Sequence, residues 1–129
     1  MTNKAVAGYK NIFAETSVGI ARPENLILLV FEKLLDHLLS AENQMQAGEL
    51  AIEPIDKALD IFKIGLIPAL DFEQGGDIAK NLAALYDWSI RHLLKARINK
   101  DANMIKEVRE VLMPIYEAWQ GVVNERVSS

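Results

Sequence analysis

Cysteine is absent, so the chain has no disulfide framework, no thiolate metal site and no cysteine nucleophile. Histidine is scarce. His37 and His92 are the only 2, and neither belongs to a Glu-x-x-His pair of the kind that builds di-metal sites in helical bundles. Neither a metal nor a cofactor is expected. Basic charge is not in excess: 14 Lys and Arg stand against 18 Asp and Glu, a formal net charge of -4. That balance argues against nucleic acid as a partner, since phosphate binding normally needs a basic patch. Long apolar runs are missing too. The longest, Leu26 to Phe31, is far short of the roughly 18 residues a membrane span requires, so no membrane insertion is expected. Met1 to Arg22 has no continuous apolar h-region and no convincing small-residue cleavage site. It does not read as a secretory signal, and the expected location is cytoplasmic. The diglycine Gly75-Gly76 lacks the lysine and hydroxyl residue of a phosphate loop, and no serine sits in an elbow motif, so catalysis is not expected.

What is present is apolar residue content of 50% in 129 residues, enough for one domain with one core. Apolar positions recur with helical period, and none alternates as a strand would. Pro23 suits the first turn of a helix, where its missing N–H costs nothing, and that helix is expected to run to about Gln46. Its core stripe is Ile27, Val30, Phe31, Leu34, Leu38 and Ala41. Leu28, Leu35 and Leu39 widen the apolar arc beyond the ~100° a surface helix needs. Either this helix is central and buried on two sides, or it lends one flank to a partner. Gly48 ends it. A second helix is expected over about Ile52 to Leu70, with Ile55, Leu59, Phe62 and Leu66 inside and Ile61, Ile64 and Ile67 drifting across the opposite face as an exposed isoleucine row. Pro68, with Gly65, should bend or end its last turns.

A third helix is expected to begin at Asp77, capped by that carboxylate after the diglycine break, and to reach Ile98. Ile78, Leu82, Leu85 and Tyr86 share its inner face, while Asn81, Trp88 and His92 lie along one edge and need polar partners. Asp101 should cap a fourth helix with Met104, Val108, Val111, Leu112, Ile115, Trp119 and Val122 as its stripe. Short connections between these elements imply an all-α fold, an antiparallel up-and-down four-helix bundle over residues 23–129. Residues 1–22 form an N-terminal tail or short cap helix, in which Tyr9, Ile12 and Phe13 at i, i+3 and i+4 can present one apolar face.

The run GGDIAKNLAALYD from Gly75 to Asp87, preceded by Leu70-Asp71 and followed by a helix carrying Trp119, resembles the FliS family of flagellar secretion chaperones. Tyr9 near the start, and the stretch LVFEKLL in a proline-started first helix, fall in the family's order. Two positions depart from its usual pattern. Arg22 stands where a serine precedes the proline, and Val30, Phe31, Glu32 and Lys33 stand where a Leu-Tyr pair is followed by an acidic residue and glycine. The resemblance implies a helical bundle that holds the C-terminal segment of flagellin, prevents its premature polymerisation and assists delivery to the flagellar export apparatus, with other flagellar regulators as further partners. It also implies that the tail, through Tyr9, Ile12 and Phe13, covers part of the client surface until the client displaces it. The residues expected to meet the client are Leu28, Leu35, Leu39, Ile61, Ile64 and Ile67, supported by Asn81, Leu85 and Tyr86. The alternative is a homo-oligomeric scaffold, such as a homodimer, in which the same apolar excess meets its own copy.

Overall fold

A computed structural model of the chain describes residues 23–128, with side chains over 25–124. These residues form four helices and no strand. Helix α1 is Pro23–Gln46, as expected from its proline start. It closes on Gly48, whose φ of 90° is the left-handed conformation that glycine adopts without a Cβ penalty. Gly48 N–H donates to the Met45 carbonyl at 3.1 Å and Glu49 N–H to the Gln44 carbonyl at 2.9 Å, the bond pair that satisfies the last carbonyls of a helix ended this way.

Helix α2 covers Ile52–Asp60 and widens into a π-helical turn over Ile61–Leu66, ending short of the expected Leu70. In the widened turn the Ile67 N–H reaches five residues back, to the Phe62 carbonyl at 2.9 Å. Pro68 supplies the reason. It has no N–H for the Ile64 carbonyl and its ring crowds that oxygen, so an ordinary α-turn cannot continue.

Helix α3 is Phe72–Asn99. Its start differs from the expectation at Asp77: the cap is Asp71, whose carboxylate accepts from Glu73 N–H at 3.0 Å and Gln74 N–H at 3.1 Å. The diglycine break survives as a kink inside the helix, where Gly76 takes φ 50° and ψ −125°. A short first turn, Phe72 to Gly75, is thus set at an angle to the main helix. The C-terminus of α3 closes on Lys100 in the left-handed region, φ 53°, with the N–H groups of both Lys100 and Asp101 turned to the Ala96 carbonyl. Asp101 then caps α4, Ala102–Ser128, by accepting from Asn103 N–H at 2.9 Å, as expected. Helix α4 stays helical through Pro114, which is exposed.

Each helix packs against its neighbours in sequence, and α4 closes the ring against α1 in the most extensive contact of all, with no close backbone approach between diagonal helices among the described residues. This is the up-and-down bundle. All six expected core residues of α1 are buried, and α1 makes the two most extensive contacts of the ring, with α4 and with α2. Phe31, Leu34 and Leu38 of α1 meet Ile55, Phe62 and Leu66 of α2, Leu93 of α3, and Ile105, Val108 and Leu112 of α4 in one core. Each such fully buried side chain contributes about 1.5–3 kcal/mol. Helix α3 offers mostly small residues to this core, Ala79, Ser89 and Ala96 beside Tyr86 and Leu93, and the buried Ser89 hydroxyl is satisfied by donating to the Leu85 carbonyl at 2.8 Å.

Three placements differ from the sequence reading. Ile61 is not on an exposed row but in the core, at 2% exposure. Ile78 is not on the inner face but 71% exposed, because the buried stripe of α3 runs through Ala79, Tyr86 and Leu93 and Ile78 lies a full residue rotation off it. On α4 the expected Val108 and Leu112 are buried and Met104, Ile115 and Trp119 pack against the core, but Ile105 joins them unforeseen and Val111 and Val122 are exposed.

Candidate functional site

The expected client residues do not form one groove. Leu28, Leu35 and Leu39 share a stripe of α1 with Glu32 and Glu42, and both carboxylates reach α4: Tyr116 Oη donates to Glu32 Oε1 at 2.9 Å, and Arg109 holds Glu42. These leucines therefore line the lip of the α1–α4 seam. Leu28 and Leu35 are half-buried and Leu39 is exposed. Ile64 and Ile67 are exposed at the far end of α2, in and just after the π-turn, on a different side of the molecule. Helix α3 carries the rest. Asn81 faces solvent, Leu85 is half-buried, and Tyr86 is buried with its ring 5.8 Å from that of Phe62. Ile61 and Tyr86 thus lie under the surface, while Leu39, Ile64, Ile67 and Asn81 are on it. Tyr9, Ile12 and Phe13 lie outside the described residues.

The α1–α4 seam holds the strongest electrostatic feature. Glu42 is buried, at 3% exposure, and Arg109 grips it with two nitrogens, Nε to Oε2 and Nη2 to Oε1, the latter at 3.1 Å. This bidentate pairing raises the Arg109 pKa further, chiefly through the hydrogen bond to Glu42. One stripe further along, burial and then the hydrogen-bonded Glu32 push the Tyr116 phenol up, and Gln120 Nε2 donates back to its oxygen at 3.0 Å. On the other flank of α1, His37 is held below the ordinary imidazole value, first by burial and then by the nearby charges of Lys33 and Lys57.

Of the polar edge of α3, His92 finds a polar partner within the bundle, Trp88 packs on its ring, and Asn81 faces solvent. Trp88 and His92 stack with ring centroids 4.5 Å apart, and His92 Nε2 lies 3.1 Å from Glu107 Oε2 of α4. Asn103 Nδ2 donates to the second oxygen of Glu107 at 3.1 Å, which fixes that carboxylate. Asp87 and Arg91 form an i,i+4 pair at 2.8 Å, and both are well exposed. Among the described residues no group of three His, Asp or Glu converges as a metal site.

The exposed aliphatic side chains extend beyond those the sequence singled out. Leu50, Ile52, Phe72, Ile78, Leu94 and Ile98 all stand outside the core. Leu50 and Ile52 gather where α2 begins and Ile98 where α3 ends; Phe72 and Ile78 sit by the Gly76 kink. Flanking turns and helix ends carry no strong periodic signal, which is why Leu50, Ile52 and Phe72 escaped a search by helical period. Their clue was residue type, a large aliphatic at a cap or turn.

Fold and surface together define an all-helical bundle with a buried core and large apolar side chains exposed on several sides. The sequence profile of the family described as "Flagellar protein FliS" matches residues 5–126, and the chain belongs to that family. It is 37% identical to the flagellar secretion chaperone FliS of Salmonella typhimurium, over 94% of this chain and 91% of the relative. It is 33% identical to the flagellar secretion chaperone FliSB of Pseudomonas aeruginosa, over 92% of this chain and 95% of the relative. With the flagellar secretion chaperone FliS of Vibrio cholerae the identity is 31%, over 94% of this chain and 90% of the relative.

Proposed function

We propose that the chain is a cytosolic export chaperone that binds the C-terminal segment of flagellin, keeps it from polymerising early and assists its delivery to the export apparatus. The observation that carries this reading is the surplus itself: the core closes without Leu39, Ile64, Ile67 and Asn81, in a chain whose relatives are flagellar secretion chaperones. A polymerising terminal segment is an amphipathic helix former that lies unfolded before assembly, and apolar strips between bundle helices are suited to its apolar face. Ordering it costs several kcal/mol, which a long wrapped interface offsets. Because the lip of the α1–α4 seam and the end of α2 lie on different sides, the client wraps the bundle instead of filling one groove. Leu28, Leu35, Leu39, Ile64, Ile67, Asn81 and Leu85 meet it, and Ile61 and Tyr86 shape the surface from below. Residues 1–22 act as a tail that covers part of this surface through Tyr9, Ile12 and Phe13.

The test is light scattering of the purified full chain mixed with the terminal segment of its flagellin. A stable one-to-one complex is expected. An unchanged self-associated species with no uptake would favour the scaffold alternative and end the proposal. Removal of residues 1–22 should tighten client binding; equal or weaker binding would remove the tail from the account.

A further inference from the structure

We propose that the C-terminal half of α3 is a docking stripe for an acidic amphipathic helix of a second protein, separate from the client surface assigned above. From Trp88 to Lys100 the sequence WSIRHLLKARINK carries Arg91, Lys95, Arg97 and Lys100 and no Asp or Glu, in a chain whose net charge is -4. Within it Arg91, Leu94, Lys95 and Ile98, at i, i+3, i+4 and i+7, share one helical face. All four are exposed, Ile98 at 79%. Cations and aliphatics thus alternate along a rigid helix, the complement of a partner helix that presents leucine-type anchors beside glutamate or aspartate.

The surroundings decide among occupants. Arg97 Nη2 bonds Asp56 Oδ1 of α2 at 2.5 Å, which ties the edge of the stripe to the first turns of α2, where Ile52 is also exposed. That α2 edge bears Glu49, Glu53 and Asp56, all exposed, so a flat anionic bilayer laid on the stripe would meet carboxylates beside the isoleucine. A single helix lying along α3 meets the cations and avoids them. A second copy of the same stripe, related by a two-fold axis, would bring Arg91 and Lys95 against their own kind. Arg91 shares its charge with Asp87 across a pair open to solvent, and Lys95 and Lys100 have no carboxylate partner among the described residues, so the cations are available.

The experiment is a titration of the isotope-labelled full chain, followed by amide chemical shifts, with three probes. These are a synthetic amphipathic helix of leucine and glutamate, the same helix with lysine for glutamate, and vesicles of phosphatidylglycerol and phosphatidylcholine. Saturable shifts centred on residues 91–98 are expected with the acidic helix alone. Lys95→Glu and Ile98→Glu, both on exposed positions, should each weaken that binding about tenfold, and added salt should weaken it further. The variants should take up the flagellin segment as the parent does. The proposal is overturned by absent or unsaturable shifts, by equal binding of the basic helix, by binding of vesicles alone, or by self-association that Ile98→Glu abolishes. Loss of flagellin uptake in Lys95→Glu, with its helical content intact, would make the stripe part of the client surface and likewise end it.

Discussion

Removing Arg109 should destabilise the chain more than neutralising its partner Glu42, although both changes break the same ion pair. The asymmetry follows from burial. The Glu42 side chain is 4% exposed and that of Arg109 is 26% exposed. Arg109→Met keeps the packing of the stem but leaves a carboxylate in the α1–α4 seam without its counter-charge or its two donors. Breaking a buried pair in this way costs about 3–5 kcal/mol, and about 3 is the expectation here because the carboxylate can take up a proton instead of staying charged. Glu42→Gln keeps an acceptor oxygen for the guanidinium, which already touches water, so its cost should be about 1–2 kcal/mol. Replacing both, Glu42→Leu with Arg109→Met, removes the desolvation penalty along with the attraction and should return the protein to within about 1 kcal/mol of the parent. Urea denaturation of the full chain at neutral pH, followed by far-ultraviolet circular dichroism, measures all three. In thermal melts each kcal/mol corresponds to roughly 3–5 °C for a chain of this size. The reasoning fails if Arg109→Met is no more costly than Glu42→Gln, or if the double variant is as unstable as Arg109→Met.

Three further outcomes rest on other parts of the structure. Gly76→Ala should lose about 1–3 kcal/mol, since φ 50° with ψ −125° is closed to an L side chain even though no atom crowds its Cβ position; an unchanged denaturation midpoint would contradict the kink. Lys100→Gly should gain about 0.5–1 kcal/mol by relieving a left-handed lysine at the end of α3, and a loss of stability would count against that cap geometry. Because the folded His37 imidazole titrates below its unfolded value of 6.5, the unfolded chain binds more protons there and stability should fall as pH drops below about 6.5; His37→Gln should flatten that part of the stability profile, and an identical slope in both proteins would refute the assignment.

The architecture was legible because two helix starts and one helix end carry chemical punctuation. Pro23 opens α1, Gly48 closes it and Asp101 caps α4, and the structure uses each in the expected way. The α1 core stripe was also placed correctly, with all six expected residues buried, although Leu28, Leu35 and Leu39 widen its apolar arc. Helix α4 was placed only in part, because Met104 and Val111 compete with Ile105 and Val108 as apolar faces, and periodicity cannot choose a phase when the apolar arc is wide. On helix α3 the expected Leu82, Leu85 and Tyr86 do turn to the core, but its most buried positions also include Ala79, Ser89 and Ala96, which carry little hydrophobic signal, so Ile78 was assigned to a face it does not share. Asp71 and Asp77 were both chemically able to cap, and which one did so depended on Gly76 taking a kink and not a stop. The Glu42–Arg109 contact spans 67 positions of sequence and left no local trace.

The π-turn of α2 bears on how the chain accommodates changes of length. A widened turn holds one residue more than the same rise of α-helix, and that residue is a local store of slack. A one-residue deletion between Ile61 and Leu66 draws on that slack next to the helix end that Pro68 already imposes, whereas the same deletion in the α1 stripe would rotate every later core side chain out of place. Lineages can therefore shorten or lengthen this end of the bundle, and re-aim Ile64 and Ile67, without rebuilding the core that Phe62 and Leu66 enter.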